Sequence, residues 1–247
     1  MQKYPDIIRT VLFNVIHFGI VKGLKFPVYL YGKVKVYDFG KVVFTCPLRR
    51  GLVRIGMNRQ NTPLPYTIID NTGTIEIGGR TWIHHGCRVT NSGVVSFAGN
   101  DIISHNTVVD IRTRLEFGHD VSIGYESEFI DSDMHYMVDV ETRRVYPNSS
   151  PIKIGNFNWF GSHTYVKKGT VTPDYTIVAS PNALLLKDYS KDIEPYSILG
   201  GSPVKVIGHG KQRVMKFKNQ GDLDFSLNTN HFVELNADID LDEYCKL

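Results

Sequence analysis

Aliphatic and aromatic residues recur every six positions through the middle of the chain, and this period limits the possible folds more than any other feature. Ile77, Ile83 and Val89 form one run; two extra residues intervene before Phe97, Ile103 and Val109, and two more before Phe117, Ile123 and Phe129. Three hexads plus two residues thus make a unit of 20 residues, seen three times. The series restarts at Ile154 and runs through Phe160, Val166, Thr172, Val178 and Leu184, with Thr172 its one polar member. A helix face repeats about every 3.6 residues and a half-buried strand about every 2, so neither alone produces a fixed period of six. Each hexad reads instead as one short strand and one corner. Three corners close a triangular coil, stacked coils pair their strands in parallel, and the inward side chains form a ladder. Small residues follow the apolar position at Ile77-Gly78, Phe117-Gly118, Ile123-Gly124, Ile154-Gly155 and Phe160-Gly161, as expected where backbone turns tightly beside a neighbouring coil. A β-sandwich predicts simple alternation without this six-residue phase.

Composition narrows the partners. The chain has 247 residues, 42% hydrophobic and 21% charged, which fits an ordinary globular protein with a sizeable core and excludes a disordered chain or a coiled coil. A formal net charge of +3 is too small for a dedicated nucleic-acid binder, though a local basic patch remains compatible with phosphate binding. Cys46, Cys87 and Cys245 are widely spaced without a CxxC, which argues against a disulfide framework or structural zinc and for a reducing cytoplasm. The apolar run from Ile7 to Ile20 contains Arg9 and His17 and is shorter than the roughly 20 residues that cross a bilayer. It reads as an amphipathic helix covering one end of the core, with peripheral attachment to a membrane as the alternative.

Three segments are expected. Residues 1–25 form a helical cap, because an uncovered solenoid end exposes unpaired backbone groups. Residues 26–207 form the repeat domain; its first coils, Phe26 to Gly56, are irregular, and a polar interruption near 130–153 projects as a loop, where chemistry commonly sits. Residues 208–247 form a tail, basic at His209, Lys211, Arg213, Lys216 and Lys218, then carrying seven acids between Asp222 and Glu243. The tail is expected to be partly disordered or to wrap a neighbour.

The run IGNFNWFGSHTYVKKG (Ile154 to Gly169) and the run GGSPVKVI (Gly200 to Ile207) resemble two ordered motifs of the hexapeptide-repeat acyltransferases. The segment DSDMH (Asp131 to His135), placed before a loop and a PIxIG restart, is most similar to the members that O-acetylate sugars and polysaccharides. The resemblance implies an all-β solenoid, a left-handed parallel β-helix, using acetyl-CoA and assembled as a homotrimer with sites between subunits. Handedness comes from the resemblance alone.

His135 is the candidate general base. Ester formation from a hydroxyl and a thioester needs a group that takes the hydroxyl proton, and imidazole suits that task near neutral pH. If the backbone there is extended, Asp131 and Asp133 share a side with His135 and can orient its ring or the acceptor. The resemblance further implies that Trp159 lines the acceptor site, where a ring packs against a sugar's CH face, and that the Ser162 backbone N–H stabilises the oxyanion. It implies coenzyme A contacts at Gly161, Ser180, Lys187, Pro203 and Lys205. The chain departs from the family at Ala179-Ser180-Pro181, where GAG is usual, and carries one more residue before Lys187-Asp188, so assignments there can shift by one. Covalent catalysis by Cys46 or Cys87 is disfavoured, since neither has a neighbouring base. A zinc hydrolase of the γ-carbonic anhydrase kind needs a histidine pair five residues apart, and no such pair occurs. A non-catalytic scaffold predicts no acyl-CoA binding and no role for His135; a small non-sugar alcohol such as an antibiotic is the other acceptor considered.

Overall fold

The computed structural model describes residues 4–58 and 65–246. From Val28–Leu30 to Tyr165–Lys167, consecutive strands fall in turn on a nine-stranded, a seven-stranded and a five-stranded sheet, so that every third strand is a neighbour; the strands after Lys167 join only the nine- and seven-stranded sheets. All pairings are parallel except the last, where Lys205–His209 folds back against Ser197–Gly200. The coiling expected from the hexads is therefore present, and the register gives its columns. Ile55, Ile83, Ile103, Ile123, Phe160, Val178 and Leu199 align on the nine-stranded sheet. Ile69, Val89, Val109, Phe129, Val166 and Leu185 align on the seven-stranded sheet, and Ile77, Phe97, Phe117 and Ile154 on the five-stranded sheet. All of these side chains are buried, and Phe97 stacks on Phe117 with ring centroids 5.2 Å apart.

Two details differ from the sequence reading. The buried member of the last hexad is Leu185, not Leu184, because one additional residue in the corner after Val178 shifts the phase. The segment before Gly56 is more regular than expected. Val28–Leu30, Val34–Asp38, Lys41–Phe44 and Val53–Met57 already occupy the three sheets, and bulges between Val36 and Asp38 and between Ile55 and Met57 break the six-residue phase.

Helix α1 (Ile7–Gly23) covers the first coil and does so with polar side chains. Asn14 Nδ2 donates to the carbonyls of Thr10 and Val28, the Val28 N–H donates to Asn14 Oδ1, and the Leu30 N–H donates to Thr10 Oγ1. These bonds satisfy the backbone edge of Val28–Leu30, which a solenoid end would otherwise leave bare. Phe13 adds apolar packing against Phe39, 4.7 Å between centroids. Ile7, Ile8, Leu12, Ile16, Ile20 and Val21 face outward and are exposed, so the helix is amphipathic in the opposite sense to the one expected. No helix among the described residues is long and apolar enough to cross a membrane.

The interruption after Ile130 is a finger with two antiparallel legs, bridged at Ser132 with Ser149 and at Val138 with Val145. Beyond His209 the chain returns across its own nine-stranded sheet. Met215 is buried against Trp82 and Ile102, and Phe217, the first residue of helix α2 (Phe217–Leu227), stacks on Trp82. Helix α3 (Leu241–Cys245) fastens this strap: the N–H groups of Met215 and Lys216 donate to the Cys245 carbonyl, and the hydroxyl of Tyr175 donates to Asp242 at 2.6 Å.

Candidate active site

The corners of the coils line up as three edges. The first edge lies where the chain passes from the nine- to the seven-stranded sheet, the second where it passes to the five-stranded sheet, and the third where it returns. Gly161, Ser162 and Ser180 stand together on the first edge. A Cβ at Gly161 would lie 2.7 Å from Ser180 Cβ and 2.8 Å from Ser180 N, so glycine is what permits the two coils to approach. Ser180 Oγ donates to the Ser162 carbonyl at 2.7 Å, while the Ser162 N–H has no backbone acceptor among the described residues. Pro203 follows in the turn after Ser197–Gly200, at the top of the same edge, and Lys205 begins the returning strand. Lys187 does not join this group. It lies beyond Leu184–Leu185, toward the second edge, and is exposed and ion-paired with Asp192, which raises its pKa.

His135 belongs to the second edge, where the finger leaves the coil after Glu128–Ile130. The expected extended DSDMH segment is not present: Met134 has φ +64°, and this left-handed residue breaks the alternation that would place both aspartates beside the imidazole. Asp131 is fully buried and accepts from the backbone N–H groups of Arg112 (2.8 Å), Thr113 (2.7 Å) and Arg114 (3.0 Å) and from the Thr113 hydroxyl. Its carboxylate holds the corner from which the finger springs and is unavailable to an acceptor. Asp133 is ion-paired with Lys168 at 2.5 Å. His135 itself is exposed, on a cleft of about 190 Å³ shared with Asp133, Met137, Tyr146 and Lys168.

Trp159 begins its strand just past the third edge and points outward, 37% exposed, in the column Arg54, Trp82, Ile102, Ser122, Trp159, Ile177. Sequence reasoning missed its partner. The Arg213 guanidinium lies over the Trp159 ring, 4.8 Å from the centroid, and donates to Ser122 Oγ. Burial alone pushes the Arg213 pKa down to about 10, and no carboxylate among the described residues pairs with it. The alternation Arg213, Met215, Phe217 was the available signal, since period-2 spacing puts all three on one side of an extended segment.

Within one chain, then, Ser162, His135 and Trp159 stand on or beside three different edges. Cys87 contributes no nucleophile: it is buried, its thiol donates to the Ser104 carbonyl at 3.0 Å, and burial pushes its pKa up to about 12.

The fold is that of hexapeptide-repeat acetyltransferases. Among solved structures, the polySia-specific acetyltransferase NeuO aligns over 87% of this chain and 91% of its own, with a TM-score of 0.55 and 14% identity. The polysialic acid O-acetyltransferase OatWY aligns over 80% of this chain and 97% of its own, with a TM-score of 0.42 and 18% identity. In sequence, the chain is 32% identical over 62 residues to SAV2555 of Staphylococcus aureus (strain Mu50), an acetyltransferase by name. That match covers 25% of this chain and 29% of the relative's length, and SA2342 of strain N315 matches to the same extent. No family model matches the chain.

Proposed function

We propose that the protein is an acetyl-CoA-dependent O-acetyltransferase acting on a saccharide hydroxyl, and that its coils wind as a left-handed β-helix. The observation that carries this reading is the first edge, where Gly161, Ser162 and Ser180 pack into one half-exposed corner and the Ser162 amide has no backbone acceptor among the described residues. Such an N–H can accept the charge of a tetrahedral oxyanion, a contribution of about 3 kcal/mol in comparable sites. Lys205 at the top of this edge is exposed and suits the phosphates of coenzyme A.

His135 takes the proton from the acceptor hydroxyl as that oxygen bonds to the thioester carbonyl carbon. The Ser162 N–H donates to the carbonyl oxygen as it becomes negative. Collapse breaks the carbon–sulfur bond, and His135 returns the proton to the leaving sulfur. Because His135 and Ser162 occupy different edges of one chain, the site closes only when a second copy brings its edge alongside, and a homotrimer places three such sites symmetrically. Lys187, on the second edge, then faces the cofactor of a neighbouring subunit instead of its own.

The test is calorimetric titration with acetyl-CoA and coenzyme A, combined with a thiol-release assay over a sugar panel for the wild type and His135→Ala. Saturable binding with sugar-dependent thiol release that the variant loses is the expected result. Absence of binding to either cofactor sinks the proposal in favour of a scaffold, and full activity in His135→Ala removes the base assignment while leaving the class intact.

A further inference from the structure

A further cleft lies away from all of these residues. It lies low on the third edge, has a volume of about 490 Å³, and is lined by Arg49, Arg50, Arg54 and Arg80 with Gly78, Gly79 and Asn100. Among the described residues, none of the four arginines forms an ion pair with a carboxylate. Arg80 Nε is buried without any hydrogen-bond partner; the same guanidinium donates through Nη2 to Asn100 Oδ1 at 3.4 Å. Arg54 and Arg80 lie 5.2 and 5.3 Å from the Trp82 ring centroid. Asp120, the acid whose field reaches Arg80, is engaged by His119 at 3.0 Å and by Asn100 at 3.4 Å. Four like charges gathered on an open cleft repel one another, a cost that an anionic ligand removes.

We propose that this cleft binds a polyanionic saccharide, an acceptor chain bearing repeated carboxylate or phosphate groups, and that it holds the chain while the unit to be acetylated sits at Trp159. This rests on the acetyl-transfer reading above. The register supports the direction: Trp82 and Trp159 share one outward column, three coil steps apart, or about 14 Å at the usual strand spacing. Arg213, unpaired over Trp159, continues the positive charge to the upper end of that span. Arg54 and Arg80 sit on successive coils with Asn100 on the next, so the cleft is longer than one phosphate. It exposes no aromatic face on which a nucleobase could stack, which favours a glycan over single-stranded nucleic acid. Coenzyme A belongs to the first edge, in the upper coils, and does not reach here.

The experiment titrates the full chain with polygalacturonate, and in parallel with dextran, inorganic phosphate, oligothymidylate and acetyl-CoA, using the wild type and the doubly substituted Arg49→Ala/Arg50→Ala protein, both positions being exposed. Polygalacturonate binding that weakens with salt and falls at least about tenfold in the variant, with acetyl-CoA affinity unchanged and dextran not bound, is expected. Equal polygalacturonate affinity in both proteins overturns the proposal. So does phosphate binding as tightly as the polymer, oligothymidylate binding more tightly than it, or a loss of acetyl-CoA affinity in the variant. Polyanion binding without acetyl-CoA binding sinks the transfer reading and with it the acceptor role, whereas acetyl-CoA binding without polyanion binding overturns the cleft alone. Substituting Arg80→Gln, which keeps a donor for Asn100 and removes one charge from the cleft, is expected to weaken polygalacturonate binding as well.

Discussion

The coils between Thr67 and Ile130 and those between Ile152 and Gly200 are built from the same hexads but not to the same measure. In the lower set the register advances by a constant 20 residues, from Ile83 to Ile103 to Ile123. In the upper set it advances by 18 from Phe160 to Val178 and by 21 from Val178 to Leu199. A constant step leaves each corner the same few residues, enough to turn the chain and no more. A variable step releases residues from that duty. The finger carrying His135, the Ser180 corner and the Pro203 turn all fall where the count changes. The lower coils supply rigidity, and the upper coils carry the proposed site.

The sharpest break between the two regions is a variant that affects one property and not the other. Replacing the exposed His135 by Ala is expected to lower kcat by about 10²- to 10⁴-fold with the melting temperature unchanged, as measured by thiol release and calorimetry. Phe117→Ala, in the constant coils, does the reverse: it opens a cavity beside Phe97 and Phe129 and costs about 3–5 kcal/mol in urea unfolding, while the folded fraction retains wild-type kcat. A smaller effect comes from Arg213→Gln, which removes the cation–π contact with Trp159, worth about 0.5–2 kcal/mol. Steady-state kinetics should show acceptor KM raised several-fold with kcat nearly constant.

A further contrast concerns pH, through Asp101 in the lower coils. Its carboxylate accepts from the Gly99 and Val121 N–H groups, and burial pushes its pKa up to about 8. The folded chain therefore holds this proton more tightly than the unfolded chain. The stability it contributes is complete below the ordinary carboxylate range and is lost as pH rises through about 8. Urea midpoints should fall between pH 6 and pH 9 in the wild type and fall less in Asp101→Asn. An equal fall in both proteins removes Asp101 as the cause.

The ladder was legible in the sequence because an inward position in a narrow prism tolerates almost nothing but an apolar side chain, so geometry writes its period directly into residue type. The first coils were less legible since two bulges displace that period. Leu185 was misplaced by one position for a related reason: an added residue at a corner costs little on the outside but shifts every inward residue after it. His135 and Ser162 could be named from motif and chemistry, yet their separation onto different edges follows from the closure of the coil, which residue spacing alone does not display. Asp131 looked like a carboxylate awaiting a substrate, and only its three backbone donors and the Thr113 hydroxyl show that the corner consumes it. The strap was hidden because each of its contacts reaches back across much of the chain, as Arg213 does to Ser122.

That strap also sets an order in time. Coils of this kind can stack as the chain emerges, each new strand finding the one before it already in place. Arg213, Met215 and Phe217 are made after every coil they touch, and the carbonyl that fastens them, on Cys245, is made later still. A nascent chain can therefore finish its prism while Trp159 and Trp82 still lie bare to solvent, and the surface of the nine-stranded sheet is covered only when the strap docks.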